Sequence, residues 1–215
     1  RNKIEYTNEI DWGKNTWRQA TGKPMNSNFT YVFDHFVANQ AEADALNASG
    51  IQGSFGKLIP GDVVYKDMND DKVIDDKDRA AQGYPRCPEI MFGIPMGFSY
   101  KGFDFSILFQ GATNSSILLN GAAVYDFPNF HNDKMGKVKP MHLKRWTPET
   151  AENAKYPALH LGTHNNNKNV HSSLFLYDAS YVRLKNIEIG YSLPYQLIKV
   201  ANLQQVRFYI QGQNL

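Results

Sequence analysis

The stretch from Ile90 to Gln110 limits the possible folds more than any other part of this chain, because two alternating segments stand back to back with almost nothing between them. Ile90, Phe92, Ile94, Met96, Phe98 and Tyr100 share one parity, and Gly93, Pro95, Gly97 and Ser99 share the other. After Lys101-Gly102 the alternation resumes with Phe103, Phe105, Ile107 and Phe109 on one face and Asp104, Ser106 and Gln110 on the other, Leu108 being the exception. A period of two interrupted by a Gly-containing turn predicts a β-hairpin. Each arm has about the 9 to 11 residues that a tilted strand needs to cross a bilayer. The usual soluble strand is about 5 to 6 residues long, and its apolar face is rarely so aromatic. Tyr100 and Phe103 flank the turn at the level of an interfacial aromatic girdle. The pattern fits transmembrane barrel strands first and a soluble sandwich or barrel second.

Composition agrees with β structure. Of 215 residues, 42% are hydrophobic, with 16 Gly, 12 Tyr and 13 Phe, which argues against a helical bundle. The mean hydropathy is negative, which a β-barrel allows because only alternate residues meet lipid while loops and lumen stay polar. No apolar run approaches the roughly 20 residues of a spanning helix. A net charge of +2 with no Lys/Arg block gives no reason to expect nucleic acid. The single cysteine, Cys87, can form no internal disulfide. The chain starts at Arg1-Asn2-Lys3 without a signal peptide and stops inside a strand-like alternation at Gln211 to Leu215, so it is expected to be a piece of a longer protein.

The first part of the chain suggests a strand from Ile4 to Ile10, a polar loop with Trp12 and Trp17, a β-rich run at Phe29 to Phe33, and a short helix in Asn39 to Leu46 ended by Ser49-Gly50. A second distinctive feature follows. Numbered from Asp67, oxygen-bearing side chains stand at positions 1, 3, 5, 9 and 12 of a twelve-residue loop, as Asp67, Asn69, Asp71, Asp75 and Asp78, and the Val73 carbonyl takes position 7. These are the ligand positions of an EF-hand-type loop, and Ca2+ is the ion they imply. Lys72 occupies the position where Gly normally makes the sharp turn, and Asp78 replaces the usual Glu. The other reading of the same residues is a solvated acidic loop built from Asx-turns.

From residue 112 to 175 there are few clean strands, and a loop region of this length in a β protein is usually functional. Tyr125, Phe127, Phe130 and Trp146 are the aromatic candidates for stacking on a substrate or partner, with packing inside the loop as the plainer alternative. His131 with Asp133, and His160 with His164, lie in no metal-binding frame, so no His-metal site is expected. Thr147-Pro148-Glu149 reads as a helix start, and Asn165 to Asn169 as a flexible tip. From Tyr181 to Tyr191 alternation returns, but the apolar parity switches near Asn186, which suggests a bulge. Tyr195 to Ala201 fits a single helical turn. Val206, Phe208 and Ile210 then oppose Arg207, Tyr209, Gln211 and Gln213.

Taken in order, Gly61-Asp62 with Val64 to Asp67, the acidic loop through Asp78-Arg79, Phe98-Ser99-Tyr100-Lys101-Gly102-Phe103-Asp104, Phe109-Gln110-Gly111, Arg145 to Glu149, Ala179 to Asn186, Gly190 to Pro194 and Gln211 to Leu215 closely resemble the C-terminal third of SusC/RagA-like TonB-linked outer-membrane transporters of Bacteroidetes. The resemblance covers essentially the whole chain. It implies an all-β fold: part of a large antiparallel transmembrane barrel of about 22 strands with a plugged lumen and long extracellular loops. Residues 1 to 215 would be a C-terminal barrel portion, with residues 61 to 80 holding the acidic loop and 112 to 175 the long loop region. It further implies a bacterial outer-membrane location, import of oligosaccharides, other glycans or peptides, a SusD-like surface lipoprotein as partner, and energy from TonB through a part N-terminal to this piece. In that family the acidic loop is typically Asp-x-Asn-Gly-Asp-Gly, and here Asp70 and Lys72 replace both glycines. A secreted, Ca2+-stabilised carbohydrate-binding module is the alternative from another class. No enzymatic activity is expected, since a hydrolase needs two carboxylates in matched surroundings and the acidic residues here gather in one loop.

Overall fold

The computed structural model describes residues 2–51, 56–121, 124–125, 138–159, 167 and 171–215. In chain order the elements are β1 (Asn28–Tyr31), β2 (Phe33–Phe36), α1 (Gln40–Ser49), β3 (Val63–Tyr65), β4 (Arg79–Gln82), β5 (Ile90–Tyr100), β6 (Phe103–Thr113), β7 (Ser116–Leu118), β8 (Leu176–Asp178), β9 (Tyr181–Ser192), α2 (Tyr195–Ile198) and β10 (Arg207–Gln213). They fall into two compact units: residues 1–86 with 116–178, and residues 87–115 with 179–215. Among the described residues no helix is long and apolar enough to cross a membrane.

The first unit is made of short paired strands. β1 pairs with β4, β2 with β3, and β7 with β8, all antiparallel. The predicted helix is α1: the Asn39 side chain accepts the Glu42 N–H at its start, and Gly50 ends it at φ 71. A left-handed C-terminal residue favours glycine because a Cβ would crowd the preceding carbonyl. The expected strand from Ile4 to Ile10 is absent. That segment is anchored instead by two backbone hydrogen bonds between Ile4 and residues 22 and 23, and by Glu9 accepting from the N–H groups of Ala20 and Thr21. Tyr6 and Ile10 are exposed, so the alternation there has no partner to bury it. Thr147-Pro148-Glu149 forms a turn before a one-turn helix at Ala151–Asn153.

This unit has three small apolar clusters in place of one large core. Val37, Ala43, Leu58 and Val64 form one, Val63, Tyr65 and Ile74 a second, and Val124, Tyr156 and Phe175 a third. A buried polar pin accompanies them. Asn167 is the described residue of the segment expected to be a flexible tip, and it is buried. Its side-chain oxygen accepts the Val63 N–H at 2.9 Å, and its amide donates to Asp62 Oδ1 at 2.9 Å and to the Ala158 carbonyl at 3.2 Å. A buried amide satisfied on three sides is worth keeping, because removing it strands the partner groups away from water.

The second unit is one antiparallel sheet in the order β10-β9-β6-β5. The hairpin predicted from Ile90 to Gln110 is present, running to Thr113, with Tyr100 opposite Phe103 across the Lys101-Gly102 turn. The parity switch near Asn186 is also present as a bulge. Leu108 faces Asn186 and Phe109 faces Leu184, leaving Lys185 unmatched.

The Asn167 pin yields a direct expectation. Asn167→Ala should free the Val63 amide and cost about 1 to 3 kcal/mol locally, read as faster hydrogen exchange at Val63 while amides of β6 and β9 keep their protection.

Candidate functional site

The register of the second unit sorts every side chain of its sheet onto one of two faces. Phe92, Ile94, Met96, Phe98 and Tyr100 of β5 lie opposite Gly111, Phe109, Ile107, Phe105 and Phe103 of β6. Those β6 residues pair in turn with Val182, Leu184, Ile187, Ile189 and Tyr191 of β9. Tyr191 and Ile189 pair with Phe208 and Ile210 of β10. One continuous face is therefore aliphatic and aromatic across four strands. Phe98 is 65% exposed, Val182 67% and Ile210 83%, and an apolar surface spanning a whole sheet marks contact with lipid or protein.

The opposite face carries Gly97, Ser99, Asp104, Ser106, Gln110, Arg183, Asn186, Glu188, Arg207, Gln211 and Gln213. Its centre is a charge cluster that spans three strands. Arg207 of β10 donates from Nε to Asp104 Oδ1 of β6 at 3.0 Å, and from Nη2 to both Asp104 Oδ2 and Glu188 Oε1 of β9. The guanidinium also lies over the Tyr209 ring at 5.1 Å. It crosses β9 over Gly190: a Cβ there would sit 2.4 Å from one terminal nitrogen and 2.7 Å from Asp104 Oδ1, so these side chains would have to shift. On the same face Arg183 donates to Gln110 at 3.2 Å and Lys185 to Asn214 at 2.7 Å. The sequence reading did not single out this cluster. Its signal was a glycine inside a long strand, which marks a close approach of another group.

The acidic loop lies in the first unit. Its geometry follows the Asx-turn reading closely. Asp67 accepts from the N–H groups of Asn69 and Lys72, Asn69 from Asp71, Asp71 from Val73, and Asp75 from Lys77. Asp78 is fully buried and accepts from the N–H groups of Met68 and Asp75 at 2.8 and 2.7 Å. Burial pushes its carboxyl above the usual carboxylate range, even though those two donors pull the other way. Lys77 spans Asp75 and Asp71, whose carboxyl is held low by the Asn69 amide and the Val73 N–H against the effect of burial. Asp76 binds Arg18 and Arg79, and Trp17 donates to the Lys77 carbonyl. The loop is thus a hub for the chain around it.

Asp70 and Lys72 stand at φ 57 and φ 65, the left-handed region that glycine would occupy at no steric cost. The loop keeps its conformation despite both replacements. Asp67, Asn69, Asp71, Asp75 and Asp78 spend their oxygens on the loop's own backbone and on Lys77, and among the described residues no three His, Cys, Asp or Glu side chains converge as a metal-ligand set. The Ca2+ expectation, with the Val73 carbonyl as a ligand, rests on the sequence pattern alone.

Of the aromatic candidates, Trp146 is buried, with its ring against Gly61. It is a core residue that closes over Gly61, so its surface is not offered to a ligand. Tyr125 is half-buried, 5.8 Å from the Phe175 ring, and burial raises its phenol. Phe127 and Phe130 lie outside the described residues, as do His131, Asp133, His160 and His164.

Comparison with known proteins places this arrangement. The TonB-dependent receptor P3 of Formosa agariphila is 31% identical over 161 residues, covering 74% of this chain and 15% of the relative. The chain belongs to the SusC/RagA-like TonB-dependent receptors, as a segment of one. The TonB-dependent receptor P26 of the same organism is 26% identical over 180 residues, covering 84% of this chain and 17% of its own length. These relatives are receptors and not enzymes. The solved RagAB peptide transporter superposes with a TM-score of 0.63 at 20% identity, covering 92% of this chain and 19% of that one. The RagAB peptide importer in its open-open state gives 0.61 at 19% identity over 91% of this chain. No family model matches. The chain shares the strand-built fold of a segment of these solved proteins.

Two substitutions probe this receptor segment. Gly190→Ala should displace Arg207 from Asp104 and Glu188 and lower stability; in an Arg207→Ala background the same change should have a smaller effect, a coupling that a double-mutant cycle measures. Lys72→Gly should relieve a left-handed lysine and stabilise the acidic loop by up to about 1 kcal/mol, seen as limited proteolysis of that loop slowing by up to about fivefold.

Proposed function

We propose that this chain supplies strands and long external loops to a closed barrel of about 22 strands in a bacterial outer membrane, with a plugged lumen, and that the whole protein imports oligomeric nutrients. The observation that carries this reading is the register: four strands of one sheet place most large apolar side chains on one face, Met91 and Leu108 being exceptions, and nearly every charged or amide side chain on the other. In hydrocarbon every backbone polar group must be paired, and closure of a sheet on itself is the β solution. The apolar face meets lipid and the polar face the lumen.

The substrate class is a glycan or a peptide, and the protein acts with a SusD-like surface lipoprotein and with energy from TonB. The names of the relatives support TonB dependence, and those of the structural neighbours support a peptide as one such cargo. A secreted carbohydrate-binding module would need a second layer over the Phe98 and Ile210 face, and nothing among the described residues supplies it.

Ile107 sits in the middle of the lipid-facing row, and Gln211 on the lumen-facing row beside Glu188. In the full-length receptor Ile107→Arg should cost about 2 to 4 kcal/mol of folding in lipid, while Gln211→Arg should be nearly neutral. Equal tolerance of arginine on the two faces, in a refolding assay into vesicles, would remove the lipid-facing assignment.

A further inference from the structure

The connection between β9 and β10 exposes more apolar surface than an aqueous loop has reason to. Leu197 is 68% exposed and Val200 86%, with Tyr195 and Leu203 also exposed, while Ile198 alone among these turns inward. α2 and the one-turn helix that follows it (Lys199–Ala201) put Leu197 and Val200 near each other at 100° per residue. The Leu193 N–H donates to the Val206 carbonyl at 2.9 Å and closes the base of the connection.

The location of this connection on the sheet decides what covers it. It leaves the sheet beside Tyr191 and returns beside Phe208, a cross-strand pair on the lipid-facing side. The Ser192 N–H donates to the Gly102 carbonyl at 2.7 Å, so the short Lys101-Gly102 turn lies at the same end. Tyr100, Phe103, Tyr191 and Phe208 therefore form an aromatic row where the lipid face stops, with the Phe103 and Tyr191 rings 4.5 Å apart. Aromatic rows of this kind sit at headgroup level, and the short-turn end of a bacterial barrel is its periplasmic end. Leu197, Val200 and Leu203 lie in the connection beyond that row with Lys199 between the first two in sequence, and at the same end Lys101 stands in the short turn over the Tyr100 ring, both lysines being cations able to reach lipid phosphates.

We propose that residues 195 to 203 form an interfacial anchor that lies in the headgroup region of the periplasmic phospholipid leaflet. Short helical segments that expose apolar side chains between cations settle at this depth, where a stem meets acyl chain and a charged tip meets phosphate. The anchor would fix how far the barrel rises in the membrane at its short-turn end. The inference rests on the outer-membrane reading given above.

The test uses the full-length receptor in phospholipid vesicles, with native cysteines including Cys87 replaced by serine. Spin labels are placed singly through Val200→Cys, Leu197→Cys, Gln196→Cys and Ile107→Cys, and collision with oxygen is compared with collision with a water-soluble nickel chelate. The ratio of oxygen to nickel collisions should be several-fold higher at 200 and 197 than at 196, and should approach the value at 107. Nickel access at 200 equal to that at 196 would overturn the anchor by showing water, and exclusion of both probes at 200 would overturn it by showing a protein cover. A lipid-like ratio at 107 beside either of those results leaves the membrane reading intact, whereas a watery ratio at 107 removes the membrane reading itself.

Discussion

Cross-strand register is the constraint on which the second unit depends. In a strand the side-chain period is two, so a slip of one residue would move every phenylalanine of one face to the other. The pairing of β5, β6, β9 and β10 avoids this at each interface and adjusts once, at Lys185, where the parity of β9 changes. That one unmatched residue keeps Val182 and Leu184 on the same face as Ile187 and Ile189. The Arg207 cluster reinforces the alignment, because its guanidinium reaches Asp104 across Gly190. Backbone pairing and side-chain charge thus select the same alignment.

The first unit is held by different means. Its apolar clusters are small, and polar contacts join segments distant in sequence: Asn167 to Asp62 and Val63, Arg18 to Asp76, Trp17 to Lys77. Loop-rich regions must satisfy backbone groups that a sheet would have paired, and the acidic loop does so with its own carboxylates. This accounts for a metal-like sequence pattern whose described geometry serves the backbone. Trp146 and Gly61 make the complementary contact, a large ring over a residue with no side chain.

Much of the second unit was legible in the sequence because burial there follows a strict period. The hairpin, the two faces and the bulge near Asn186 all come from alternation, and the resemblance to TonB-linked receptors came from the order of short motifs. Less of the first unit was legible. The alternation from Ile4 to Ile10 has the period of a strand and no neighbouring strand to pair with, and period alone cannot supply one. Trp146 is buried against Gly61, which is far from it in sequence. Asn167 lies in an asparagine-rich run that composition marks as a tip, while its burial depends on residues more than a hundred positions away. The Arg207 cluster was hidden for a similar reason, since its three charges come from three strands and only Gly190 hints at the crossing.

One further consequence comes from the β7 and β8 pair. β7 starts three residues after β6 ends, and β8 ends three residues before β9 starts, so Ser116 opposite Asp178 ties off the long excursion at its root. Once that knot is made, the distance the chain travels beyond it has little influence on how β6 meets β9, since doubling a flexible loop adds only about 0.6 kcal/mol to its closure. The stretch between β7 and β8 can then change in length while the register of β6 against β9 stays as it is.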